Sequence, residues 1–363
     1  MKRFFYLLIA TLAFVACNEN APEGKSSEGK SSEDKTTDSS ISCDPAIKTV
    51  TSYGGTFVVT VTSKKDWTAT SNQTWVSLSP NSGQGDAFVT VTVSQGIEGS
   101  AKVLFSNGDG SATLTIERKA LYQGELPGEF SVSETLKVRF SKGNLRYHPL
   151  NKKWAFAEHQ WEVVGDDNTK ISDTYNGWID LFGWGTGNNP TLATTTGSDY
   201  STFVDWGTNK ISNGGDSPDQ WRTLSKDEWL YIIEGRPRAS SLFGVGRVCG
   251  VDGLILLPDE WMDIPEIAFN SGLAPNSGNN GYETVNDIAL SEWSRMEQAG
   301  AVFLPTEKSR EGTTMDWYSG YGNYWSTTHS YGSKSWSLCF YSYMIVKNAD
   351  GFAYFGDCVR LVR

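Results

Sequence analysis

Gly54-Gly55-Thr56-Phe57-Val58-Val59-Thr60-Val61 decides the first half of the chain: a glycine turn, then apolar and hydroxylated residues in alternation. Successive side chains of an extended strand point to opposite faces, so Phe57, Val59 and Val61 share one face. The same period returns at intervals of about ten residues, in Val89, Val91 and Val93, then Ala101, Val103 and Phe105, then Ala112, Leu114 and Ile116. Asn81-Ser82-Gly83 and Asn107-Gly108-Asp109-Gly110 supply turns between them. About seven short strands of this kind predict an all-β, immunoglobulin-like sandwich over residues 43–118.

Downstream the pattern changes. Residues 119–128 read as a hinge, and residues 129–363 hold twelve of the fourteen tryptophans. Ser225-Lys226-Asp227-Glu228 is a capping box, with Trp229, Ile232 and Ile233 as the apolar stripe of the helix it starts and Gly235 as its stop. A second helix is predicted near residues 287–298, with Leu290, Trp293 and Met296 inward and Gly300 ending it. Strand-like runs follow each helix, Gly253 to Pro258 and Val302 to Pro305, and the remainder is glycine-rich loop and short strand. The second domain is therefore expected to be α+β.

Both segments resemble known families. Gly54-Gly55, Asp66-Trp67-Thr68-Ala69, Trp75-Val76-Ser77-Leu78-Ser79-Pro80 and Gly83-x-Gly85 resemble the BACON domain, a carbohydrate-associated module of the Bacteroidetes. That resemblance implies glycan binding or a spacer role, with Trp67 and Trp75 read mainly as core. Trp221-Arg222-Thr223-Leu224-Ser225-x-x-Glu228-Trp229, Phe303-Leu304-Pro305-Thr306, Gly322-x-Tyr324-Trp325-Ser326-Thr327 and Val359-Arg360-Leu361-Val362 are similar to the Fibrobacter succinogenes major paralogous domain. This second resemblance implies a C-type-lectin-like fold, and says little about activity because one fold hosts many functions.

Upstream, Met1-Lys2-Arg3 is a positive start, residues 4–13 are apolar, and Phe14-Val15-Ala16-Cys17 resembles the lipobox of bacterial lipoproteins. Residues 1–16 are thus expected to be a signal peptide and Cys17 a lipidated N-terminus that holds the chain on the outer membrane, facing the cell surface. Residues 17–42 repeat Glu-Gly-Lys-Ser-Ser and cannot bury a core. Such a coil spans roughly 25–30 Å on average, a tether for the first domain.

The formal net charge is −11, and −13 once Lys2 and Arg3 leave with the leader. Phosphate backbones are repelled by such a chain, so no nucleic-acid partner is expected. His148, His159 and His329 have no metal-ligand spacing, and no nucleophile elbow or phosphate loop occurs, so neither cofactor, metal nor catalytic centre is expected. What remains is binding. Trp184, Tyr200 and Trp206 in one loop-rich stretch, and Trp317, Tyr318 and Tyr321 in another, are the candidate ligand contacts, with Asn188, Asn189, Asp199, Asp205 and Asp316 beside them. Packing inside glycine-rich loops is the competing use of these rings. The function expected is a cell-surface lipoprotein that binds glycans or glycoproteins in adhesion. The alternative is a structural, adhesin or assembly subunit binding protein, and an enzyme ranks behind both. In an exported chain Cys339 and Cys358, on two strands near the C-terminus, are expected to form a disulfide. On anchoring the expected outcome is that Cys17→Ser leaves the chain unlipidated and absent from the membrane fraction, which unchanged partition of that variant would contradict.

Overall fold

A computed structural model describes residues 40–275 and 281–363, so the leader, Cys17 and most of the tether lie outside the described residues. The chain is mostly β, with 40% of residues in strands and 12% in helices, so helix contributes less than the α+β expectation suggests.

Nine strands make two facing sheets. They are β1 (Ile41–Asp44), β2 (Ile47–Thr51), β3 (Gly55–Ser63), β4 (Asp66–Ser71), β5 (Val76–Ser79), β6 (Ser82–Gln84), β7 (Ala87–Val93), β8 (Gly99–Ser106) and β9 (Ser111–Lys119). One sheet runs β1-β3-β7-β5 and the other β2-β9-β8-β4-β6. The first edge changes sheets at Pro45, since β1 pairs antiparallel with β3 while β2 lies parallel to β9. Alternation holds along β3, where Phe57, Val59 and Val61 are buried and Val58 is outside. Together with Val89, Val91, Val103, Phe105, Leu114 and Ile116 they form a core closed by Trp67. The Trp67 indole donates to the Gly85 carbonyl at 2.9 Å, which satisfies its one polar atom. Trp75 is half-buried beneath the Arg118 guanidinium, 4.1 Å from the ring centre. The first strand begins at Ile41, two residues before the expected boundary.

Residues 120–128 do not form a free hinge. The Leu126 side chain is buried, its amide donates to the Phe140 carbonyl at 2.8 Å, and the Tyr122 ring lies 3.7 Å beneath the Arg363 guanidinium.

In the second half the capping box forms as expected. Ser225 accepts from the Glu228 amide, and the Glu228 carboxylate accepts from the Ser225 amide at 2.8 Å, starting α1 (Lys226–Leu230). Trp229, Ile232 and Ile233 are buried in a core cluster shared with a four-stranded sheet of β10 (Phe243–Val248), β11 (Val251–Leu256), β12 (Asp287–Ile288) and β13 (Val302–Pro305), ordered β12-β10-β11-β13. The second helix, α2 (Leu290–Gln298), is shorter than expected because Asp287 and Ile288 pair parallel with β10. Trp293 and Met296 face inward, whereas Leu290 is exposed, one turn away from the packed stripe. A long hairpin, β14 (Tyr321–His329) and β15 (Lys334–Tyr341), carries the remaining core, with Asp350–Phe352 on the far edge of β15. Among the described residues no helix is long and apolar enough to cross a membrane.

Cys339 and Cys358 are both buried and both free, which corrects the disulfide expectation. Cys339 pairs across β15 with Asn323 of β14, while Cys358 bonds the opposite edge of β14 through the Asn323 carbonyl. A whole strand therefore separates the thiols, so they sit two strand spacings apart, roughly 9–10 Å, beyond the reach of a disulfide. Both should be alkylated when the chain is unfolded without reductant, and mass spectrometry finding either blocked would contradict this arrangement.

Candidate functional site

The candidate aromatics separate into two kinds. Trp184 is buried, its indole donating to the Ser326 carbonyl at 2.8 Å and its ring lying 5.0 Å from Phe203. Tyr200 is buried, its hydroxyl donating to the Thr194 carbonyl at 2.9 Å. A side-chain carbon on Gly183 would stand 2.2 Å from the Tyr200 ring, which explains a glycine there. Trp206 is fully buried between Phe182 and Phe203. The polar neighbours are consumed by the loops themselves: Asp205 accepts from the Gly207 amide and from the amide and hydroxyl of Thr223, and Asp199 accepts from Thr194. These three rings are frame, which corrects their reading as ligand contacts.

Trp317 and Tyr318 are the opposite case. They are 78% and 56% exposed, with ring centres 3.7 Å apart and planes 32° from parallel. The short turn that carries them is fixed from below. Asp316 accepts from the Tyr318 amide at 3.1 Å and from the Tyr321 hydroxyl at 2.8 Å. Its own amide donates to the Ser309 carbonyl, and the Tyr282 hydroxyl donates to the Gly320 carbonyl at 3.1 Å. Gly320 has φ of 79°, a left-handed conformation that favours glycine. Tyr321 itself is buried, and burial raises its phenol pKa, so it acts as the strut under the platform rather than as a surface contact. Its ring leads to Tyr341, 5.8 Å away, and from there to Tyr343 at the same spacing.

A second exposed group escaped the sequence reading. Tyr331 and Phe352 flank the Lys334 ammonium, 5.3 and 5.4 Å from their ring centres, and Tyr354 stacks on Phe352 with centres 5.0 Å apart. Lys334 also pairs with Asp350 at 3.3 Å. The alternation Phe352-Ala353-Tyr354, with only Ala353 buried, was the available signal.

Two other features carry no comparable surface. A cleft of about 610 Å³ lies where β2 and β3 meet residues 258–265. Its cations are engaged by neighbours: Lys48 by Glu260, Arg139 by Glu129 and the Pro127 carbonyl, and Arg295 by the Pro265 carbonyl. Elsewhere in the second half lies a closed knot in which Asp180 and Glu307 are hydrogen-bonded to each other and to Asn168. The amides of Val164 and Gly165 and the Cys358 thiol complete it. Among the described residues no group of three or more His, Cys, Asp or Glu side chains could hold a metal ion.

No protein-family model matches the chain, and no curated protein does. Solved structures give partial likenesses only. A Bacteroides ovatus GH5 xyloglucanase in complex with a heptasaccharide is 17% identical, covering 23% of this chain and 20% of its own, with a TM-score of 0.22. SSP-19, an MSP-domain protein-like family member of Caenorhabditis elegans, is 18% identical over 22% of this chain and 99% of its own, with a TM-score of 0.20. Domains 4 and 5 of the S-layer protein SbsC are 26% identical over 22% of this chain and 51% of theirs, with a TM-score of 0.19. The chain spans about a fifth of the length of the first of these.

The buried acids make a pH prediction. Burial pushes both Asp180 and Glu307 upward, and Asp357 to about 6. Groups raised in the folded state stabilise it fully below their unfolded pKa and lose that contribution as pH rises through the folded value. The melting temperature should therefore fall from about pH 5 to about pH 8, and Glu307→Gln, which keeps that site neutral, should flatten the fall. A wild-type melting temperature that rises across this window contradicts the assignment.

Proposed function

We propose that this chain is a non-catalytic, lipid-anchored surface protein of the outer membrane that binds glycans through Trp317 and Tyr318. The observation that carries the reading is two adjoining exposed rings on a rigid base, in a molecule whose other tryptophans are all buried or half-buried. A sugar ring presents a flat C–H face that an aromatic plane covers, and Trp and Tyr offer large contact area with few rotamers to freeze. Asp316 adds rigidity, because its two oxygens hold the Tyr318 amide and the Tyr321 hydroxyl instead of waiting for a ligand. Preorganisation of this kind lowers the entropy lost on binding. The acidic balance disfavours polyanions and leaves neutral glycans as the matching class. In this reading the N-terminal sandwich is BACON-like and acts as spacer, while the second half is a C-type-lectin-like binding domain whose sugar contacts need no calcium.

The test is an array of plant and host polysaccharides probed with the unacylated chain. Trp317→Ala should lose up to ~2 kcal/mol of affinity, about thirtyfold, with an unchanged melting temperature. Trp206→Ala should instead cost ~3–5 kcal/mol of stability. Silence across the array, or undiminished binding by Trp317→Ala, overturns the proposal, and silence favours a protein partner.

A further inference from the structure

Resting on that reading, we infer that the platform is one end of an extended site whose ligand is a linear neutral polysaccharide, not a single terminal sugar. The connection is a small antiparallel sheet in which Arg310–Glu311 lies between Thr314–Met315 and Phe355–Gly356. Glu311 pairs with Thr314 on one side and with Phe355 on the other. Paired residues share a face, so these three side chains lie together. One face turns inward through Arg310, Gly356 and Met315, and on the other Phe355 is half-buried against a second core cluster, leaving Glu311 and Thr314 as its open part. Glu311 and Thr314 are exposed.

Each flank of Glu311 and Thr314 continues into aromatic residues, of which Trp317, Tyr318, Tyr331 and Phe352 are exposed and Tyr354 is half-buried. Beyond Thr314–Met315 the chain runs straight into Asp316, Trp317 and Tyr318. Before Phe355 come Phe352 and Tyr354, whose rings stand 5.7 and 5.2 Å from that of Phe355, with Tyr331 across Lys334. The two aromatic groups are thus separated by at least two strand spacings, roughly 9–10 Å. One sugar ring covers about one aromatic side chain, so occupying both groups takes a chain of several units. Between them the Glu311 carboxylate and Thr314 hydroxyl are placed to meet sugar hydroxyls. Carboxylates at Glu311 and Asp316 along the way repel anionic polymers, while Lys334 and Asp350 offset each other as an ion pair. Two contacts on one chain also raise retention through effective concentration.

The experiment uses the full chain carrying Cys17→Ser, with β-glucan, mannan and chitin and their oligomers of one to six units. For the polymer that is bound, affinity should climb at least tenfold between two and six units. The double variant Tyr331→Ala, Phe352→Ala should bring the six-unit affinity down about tenfold and leave the two-unit affinity unchanged. Glu311→Gln, which keeps shape and removes charge, should also weaken only the longer oligomers. Trp317→Ala should weaken both lengths. Affinity that is flat with length, or six-unit binding untouched by the double variant while Trp317→Ala still weakens it, overturns the extended site and leaves the single platform standing. Absence of binding to every polymer, with Trp317→Ala without effect, sinks both readings.

Discussion

Two reciprocal indole hydrogen bonds hold the second half of this molecule together. Trp184 donates to the Ser326 carbonyl at 2.8 Å, and Trp325 donates to the Phe182 carbonyl at 2.7 Å. The partners come from a glycine-rich loop and from a strand more than a hundred residues later, and the two bonds fix where they meet. A buried carbonyl or indole N–H left unmade costs about 1–3 kcal/mol, so each clip both satisfies a polar atom and sets where the loop lies. Trp221 ties residues 214–221 in the same way, donating to the Gly214 carbonyl. Among the described residues no partner meets the indole nitrogens of Trp206, Trp229 and Trp293, which are held by packing.

That frame gives the exposed rings their meaning. Where loops are built by burying tryptophan, a tryptophan left outside on a fixed turn is not serving the fold. Trp317 and Tyr318 stack on each other, while the groups that could tether them, Asp316, Ser309 and Tyr321, are spent on the turn beneath. The acid knot of Asp180 and Glu307 is closed and fully hydrogen-bonded, so it supports structure and offers no surface for chemistry.

The sandwich was legible because its information is local. A period of two places Phe57, Val59 and Val61 inward whatever the rest of the chain does, and Ser225 with Glu228 starts a helix within one turn. The loop aromatics were not legible in this way. Trp184 and Tyr200 sit among glycine, asparagine and aspartate in the sequence, a setting that reads as solvent-facing, yet the groups that bury them, such as Ser326, arrive from distant segments. Trp317 has the same local composition and stays outside, so composition could not divide the two sets. The cysteine pairing failed for a related reason. Proximity to a common strand was readable, but which edge of β14 each thiol occupies is fixed only by the folded register. Leu290 shows the smaller version of this error, since two residues of the expected helix were taken by β12, which leaves Leu290 as the exposed first residue of α2 while Trp293 and Met296 stay inward.

Oxidative footprinting of the native chain, read residue by residue by mass spectrometry with and without a bound polysaccharide, tests the division between frame and contact most directly. Trp317 and Tyr318 should be modified rapidly and protected when the polymer is added, while Trp184 and Trp206 should resist until the chain unfolds. Early modification of Trp184 or Trp206 in the native state, or a Trp317 that the bound polymer leaves unprotected, would contradict that division.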